Sequence, residues 1–566
     1  MVRYPLVHSK DFYKNLSRIY REYKINGTNK TEKELCYPKK YILQNPQKFV
    51  AKYISPKTPY TNLLMFHQIG AGKTCASIQI AEEWKHKRKI MVAVPASLII
   101  NYRSELRSKC VGDTYITDND RLLLKTNDPK SKIYKNIIKK SDNIINKYYI
   151  ILSHQKLISK IINRSLRLSN KILIIDEVQN LVSSCGNYYK YLYKFLNNIQ
   201  NVPIILLSGT PMFDKPNEIA LTLNLLKLKT KIPVNNEFAS TFLVKYTNKD
   251  GEILYDLQNS KLLARLFKGY ISYYRGANPK TFPKKNVFIV KCRMKELQYR
   301  SYLTVTDKKG SFRNADILDM PESFFIGVRA ISNIAFPNKK IGNEGLSSFK
   351  GKYLKGKWLR QCSEKFYKII QYTRKSIGTV FIYSNFKEYA GIKAFIKVLN
   401  AYNYKDYKHH GLGPKRYAIW SGDESYNYKC NILNHFNHSD NKYGDNIKIF
   451  LGSPSVKEGI SLLRVEQVHI MEPYWNISRV DQVIGRAVRY CSHKDVNKSR
   501  KYVNIYMYHS VHSKIKPSID SYIYELALKK QILINKFEKV LKQSAIDCQL
   551  NKIGNTDKKN KLICEK

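Results

Sequence analysis

Short apolar runs separated by longer amphipathic stretches recur along most of the chain. Residues 63–66, 89–95, 149–153, 171–175 and 203–208 are almost continuously apolar, and the stretches after them space their apolar residues as helices do. Short runs without inside-outside alternation belong to strands buried on both faces, so the pattern predicts a parallel sheet covered by helices. It resumes after about residue 356, with runs at 378–384, 447–451, 467–471 and 501–507, and predicts a second such sheet. Between them, residues 224–355 are rich in Lys and Tyr and punctuated by Pro279, Pro283, Pro321 and Pro337. This segment reads as an inserted, mostly helical subdomain. Its Tyr273, Tyr274 and Arg275 suit phosphate contact and base stacking, and equally suit a solvated surface. Farther on, Ile519, Ile523, Leu526, Leu533, Phe537 and Val540 fall at helical spacing and predict a helix packed on the body. The expected division is an N-terminal extension at 1–40, an α/β domain at 41–223, the insertion at 224–355, a second α/β domain at 356–515, and a C-terminal helix with a polar, disordered tail at 516–566.

The first sheet carries the most specific chemistry. His67-Gln68-Ile69-Gly70-Ala71-Gly72-Lys73-Thr74 stands between an apolar strand and a helix. Glycines there let backbone N–H groups approach phosphates, the helix N-terminus adds its positive end, Lys73 neutralises charge and Thr74 can hold Mg²⁺. The strict phosphate-loop pattern has glycine where this chain has His67. Upstream, Gln47 carries an amide able to match the adenine edge, although a surface glutamine on a helix would look the same. The run at 172–175 ends in Asp176-Glu177-Val178-Gln179, which puts two carboxylates at a strand end: Asp176 for Mg²⁺, Glu177 to deprotonate water. Ser208-Gly209-Thr210-Pro211 ends the next run with hydroxyls able to relay phosphate state, or with an ordinary turn. In the second domain, Arg486 and Arg489 are three apart on a stretch read as helical, and could face one anion.

Composition narrows the partners. Lys and Arg number 99 against 44 Asp and Glu, a net charge of +55, which favours polyanions and above all nucleic acid. Abundant Lys, Asn, Ile and Tyr would also follow from an A+T-rich genome, so charge supports the reading without carrying it. The ten cysteines are scattered without a CxxC pair, from which a reducing compartment and no zinc site are expected. No apolar run approaches a membrane span and the first residues lack a signal-peptide core, so a soluble, cytoplasmic protein is expected.

Taken together, GAGKT (70–74), PASL (95–98), DEVQ (176–179), SGTP (208–211), SPSVKEGISL (453–462) and QVIGRAVR (482–489) resemble the ordered motifs of helicase superfamily 2. The flanking stretches SGTPMFDKPNEI, RAISNIAFP, FIYSNF and HIMEPYWNISRVDQVIGRAVRYCSH are similar to the poxvirus-type branch of early transcription factor small subunits and nucleoside triphosphatases, and to helicases of yeast cytoplasmic linear plasmids. The resemblance spans roughly residues 41–550. It implies two RecA-like domains with ATP and Mg²⁺ between them. Lys73, Thr74, Asp176 and Glu177 would come from the first, Gln482, Arg486 and Arg489 from the second. Gly459 and Ser461 would line the cleft and the nucleic-acid path. DEVQ departs from the DEAD and DEAH tetrads, so properties special to those RNA helicases are not implied. The resulting expectation is an ATP-dependent translocase on nucleic acid, DNA favoured, working with an RNA polymerase or transcription complex in the cytoplasm. An RNA helicase acting on transcripts, or a promoter-binding subunit that uses ATP as a switch, are the alternatives.

Overall fold

The computed structural model describes residues 3–27, 30–68, 70–182, 186–306, 325–457, 459–556 and 562–565. Two compact units divide the chain: 1–245, 255–278 and 533–566 form the first, 246–254 and 279–532 the second.

The first unit is built on β1 (Asn62–His67), β2 (Lys89–Val94), β3 (Tyr149–Ser153), β4 (Lys171–Ile175), β5 (Ile204–Ser208) and β8 (Ile271–Tyr274). The order is β3-β2-β4-β5-β1-β8, and every ladder is parallel. Leu63, Leu64 and Met65 are fully buried, as are Ile172 to Ile175 and Ile204 to Leu207, which is why these runs show no alternation. β6 (Leu243–Thr247) and β7 (Ile253–Leu257) pair only with each other. The stretch read as an N-terminal extension is part of the core, where Phe12 and Leu16 are fully buried and the Tyr60 hydroxyl donates to the Pro5 carbonyl.

The second unit holds β9 (Lys284–Arg293), β10 (Thr379–Tyr383), β11 (Lys405–Asp406), β12 (Arg416–Trp420), β13 (Ile449–Gly452), β14 (Val465–Ile470) and β15 (Tyr502–Val511). They lie in the order β11-β12-β13-β10-β14-β15-β9, again all parallel. Its core includes a fully buried ion pair, Lys365 Nζ to Asp520 at 2.6 Å, with Asn333 Oδ1 accepting a second bond from the same ammonium. Both units are parallel α/β folds, as the apolar pattern predicts, and RecA-like, as the resemblance implies.

Four expectations change. Residues 224–355 form no separate body, because β8 completes the first sheet and β9 the second. Tyr273 and Tyr274 are 3% and 6% exposed on β8, with Tyr273 opposite Phe66 of β1, so burial removes them from any stacking surface. The tail expected to be disordered after the C-terminal helix is packed as far as residue 555: Asn551 and Asn555 both donate to the Tyr273 carbonyl, and the helix Lys552–Asn555 runs from one to the other. Cysteines distant in sequence also meet, since Cys75 pairs with Cys110 and Cys548 with Cys564 as disulfides, against the expectation of a reducing compartment. The C-terminal helix Ile519–Gln543 buries all six apolar positions predicted for it. Pro321 lies outside the described residues, and none of the described helices is long and apolar enough to cross a membrane.

Candidate functional site

At the end of β1 the chain turns through Gly70 and Gly72, with φ of +83° and +73°, and enters the helix Lys73–Trp84. Glycine tolerates this left-handed backbone, and at Gly72 it is also a matter of space: a Cβ would stand 2.6 Å from Gln47 Nε2. Gln47 is 4% exposed; its Nε2 donates to the Gly72 carbonyl at 3.4 Å and its Oε1 accepts from Gln44 N–H at 2.9 Å. Its amide thus braces the loop from outside. Ala71 N–H donates to Gln68 C=O and Gln68 N–H to Tyr274 C=O, both at 3.0 Å, tying the loop to β8. Ile69 lies outside the described residues.

His67 departs from its expected role. It is fully buried and faces Ser272 Oγ at 2.8 Å, so the side chain anchors the base of the loop and does not line its phosphate face. With Asp547 ionised, Ser272 donates to its Oδ2 at 2.6 Å, which leaves His67 Nε2 as the donor. Burial, then Lys73, push His67 down to about 3, while burial lifts Asp547 to about 7. A neutral imidazole in this place adds no charge to compete with Lys73 for phosphate.

β4 delivers the acids and β5 the hydroxyls that answer them. Lys73 Nζ lies 3.5 Å from Glu177 Oε1, so the phosphate-loop cation and the candidate base share one spot. Glu177 has φ +50° and ψ +49°, a left-handed conformation that costs a non-glycine residue roughly 1–3 kcal/mol and is concentrated at functional sites. Asp176 is 5% exposed, and its Oδ1 accepts the Glu177 N–H at 2.9 Å. From Glu177 a chain of bonds runs to β5: Gln179 Nε2 donates to Glu177 Oε2 at 2.6 Å, Ser208 Oγ to Gln179 Oε1 at 2.7 Å, and Thr210 N–H to Ser208 Oγ at 3.0 Å. A phosphate that moved Glu177 would therefore pull on the 208–211 turn. Sequence reading passed over His154, the first helical residue after β3, which donates to the Asp176 carbonyl at 2.8 Å and is held down to about 4 by burial. It also missed Asp547, which reaches His67 through Ser272 and accepts the Tyr273 N–H at 2.9 Å.

In the second unit, the helix Ile477–Ile484 carries Gln482 and stops before the arginines, so Arg486 and Arg489 are not on one helix face as expected. They converge all the same. Arg489 Nη1 donates to the Ile460 carbonyl at 2.9 Å and to Ser461 Oγ, and Arg486 Nη1 points at the same carbonyl at 3.4 Å. Burial first and Arg486 second hold Arg489 down to about 10, still charged at neutral pH. Gly459, φ +79°, shapes the loop beneath them. Two adjoining cations, of which Arg486 is 7% exposed, thus meet on one carbonyl and one hydroxyl, an arrangement able to accept an anion.

The fold and these two sets of groups match a known class. Residues 15–344 fit the SNF2-related domain and residues 363–491 the helicase conserved C-terminal domain. The chain belongs to the SNF2-related helicases of superfamily 2, and is a nucleic-acid-dependent ATPase. Among its relatives, "Putative ATP-dependent RNA helicase R563" of Acanthamoeba polyphaga mimivirus is 48% identical over 98% of this chain and 97% of that protein. "Putative ATP-dependent RNA helicase L377" of the same virus is 26% identical over 91% of this chain and 56% of its own length. "Termination factor NPH-I homolog" of African swine fever virus is 27% identical over 86% of this chain and 76% of its own.

Proposed function

We propose that the protein is a translocase that couples ATP hydrolysis to movement along nucleic acid, with DNA as the track, in transcription or replication of a cytoplasmic genetic element. The observation that carries this is the shared spot of Lys73 and Glu177, joined through Gln179 and Ser208 to the turn after β5. Lys73 and the loop N–H groups hold the β- and γ-phosphates, and Glu177 takes a proton from the water that attacks the γ-phosphorus as ADP leaves. Asp176 and the Thr74 hydroxyl are hard oxygen donors beside the loop and fit Mg²⁺, which when bound would offset phosphate charge. Arg486 and Arg489 meet the γ-phosphate in the closed enzyme, Gln482 orients the water, and Gly459 and Ser461 border the strand. Gln47 acts on the adenine side of the loop.

The NPH-I homologue's description as a termination factor supports a place beside an RNA polymerase, and the description of R563 favours RNA as the track. Hydrolysis measured with single-stranded DNA, duplex DNA and RNA in parallel decides. Stimulation by DNA is expected; stimulation by RNA alone would make this an RNA helicase on transcripts, and none by any nucleic acid would leave ATP as a switch.

A further inference from the structure

Residues 350–360, Lys-Gly-Lys-Tyr-Leu-Lys-Gly-Lys-Trp-Leu-Arg, hold five cations and no acid. Arg360 is paired with Glu364, whereas among the described residues no carboxylate is within ion-pair reach of Lys350, Lys352, Lys355 or Lys357, all exposed. Amid them Trp358 is 39% exposed, an uncommon state for so large an apolar ring. Lys352 Nζ stands 4.3 Å and Lys357 Nζ 5.7 Å from its centroid, and Tyr353 meets it edge-on at 5.8 Å. The patch is anchored, not loose: Leu359 and Cys362 are fully buried, and Tyr353 and Leu354 pack on the second unit's core. Gly351 and Gly356 turn the chain at φ +58° and +51°, and a Cβ on either would meet nothing within 4 Å, so the surface above them is open. The positive field is felt nearby, since Lys397 is held below its ordinary value by burial and then by Lys350.

The patch also has a definite place. Lys355 lies 5.7 Å and Arg374 5.3 Å from the ring of Tyr402. Arg374 lies in the last turn of the helix Glu364–Lys375 that leads into β10, and Tyr402 caps the helix Ile392–Ala401 that leads into β11. In a parallel sheet such helix ends mark the N-terminal edge of the strands, opposite the edge that delivers residues 453–462 after β13.

We propose that residues 350–360 are a second contact for single-stranded nucleic acid, with a base stacked on Trp358 and phosphates held by Lys352, Lys355 and Lys357. An exposed ring ringed by unpaired lysines is the arrangement that holds a strand without reading its sequence. The inference rests on the reading as a nucleic-acid translocase. The site lies outside the motif-bearing edge, so it grips strand that the motor does not cover.

The test uses the full chain and labelled single strands of about 10 and about 40 nucleotides, the shorter near one motor footprint. Trp358→Ala should weaken binding of the long strand about tenfold while Trp358→Phe keeps most of it. Lys352→Gln/Lys357→Gln should flatten the log–log salt dependence on the long strand by about 1.4, from two contacts at roughly 0.7 each. All three variants should bind the short strand, and hydrolyse ATP when saturated with it, as the parent does. Unchanged long-strand affinity and slope would overturn the site, as would equal losses on both strands. Displacement of the strand by polyglutamate with no effect of Trp358→Ala would also overturn it, marking a surface for acidic protein. A parent chain that binds no strand would sink the translocase reading and this site with it; parent binding with indifferent variants sinks the site alone.

Discussion

Lys73 and Glu177 sit 3.5 Å apart, close enough to attract and too far for a tight hydrogen bond, as suits a lysine that must trade a carboxylate for phosphate. Lys73→Ala should therefore weaken nucleotide binding and abolish turnover. Glu177→Gln should bind ATP and hydrolyse it at least about a hundredfold more slowly, within the roughly 10²–10⁴ of a general base. Parent-like turnover by purified Glu177→Gln would exclude Glu177 as the base. Gly72→Ala meets two obstacles, the Gln47 amide at 2.6 Å and a left-handed backbone costing roughly 1–2 kcal/mol. It should lower the melting temperature and nucleotide affinity. Adding Gln47→Ala removes the contact and leaves the backbone penalty, so the double variant should recover part of the melting temperature and no more.

Among the elements, the C-terminal segment is tied to the phosphate loop by Ile546 N–H to Ile271 C=O at 2.8 Å and by Asp547 through Ser272 to His67. Burial raises Asp547 from 3.8 to about 7, so the fold favours its protonated form. The stability this gives is complete below pH 3.8, falls as pH rises, and is gone above about 7. Asp547→Asn should flatten that fall. The reading is the melting-temperature difference between variant and parent at each pH from about 5 to 8, because His67 and His154, both held low, pull stability the other way below pH 6.5. A difference that does not change with pH would contradict the buried acid. These contacts were invisible in the chain, where Asp547 and His67 are far apart. The central strands were legible because burial on both faces leaves an apolar run that needs no alternation. The edge strands β8 and β9 were not: Ile271–Tyr274 is half aromatic, and Val287, Phe288 and Ile289 are all about half exposed among lysines, so both looked like a basic, aromatic surface. The phosphate loop and Asp176-Glu177 were legible as types in order. The bracing by Gln47, the anchoring by His67 and the convergence of Arg486 and Arg489 on Ile460 come from tertiary packing.

Over the whole molecule, the charge of +55 should show as salt dependence. With about six phosphate contacts, affinity for duplex DNA should fall with a log–log slope near −5, and a flat response would mean that the lysines do not touch the strand. The central proposal is that Arg489, far along the chain from Lys73, acts on the same phosphate. An arginine finger supplies roughly 10³–10⁵ in rate, and a lysine lacks its planar fork. The most direct measurement is hydrolysis at saturating nucleic acid, together with nucleotide affinity, for Arg489→Ala and Arg489→Lys. The account predicts that both bind nucleotide nearly as the parent does and lose stimulated hydrolysis by at least about a thousandfold; near-parent stimulated rates in both would contradict it.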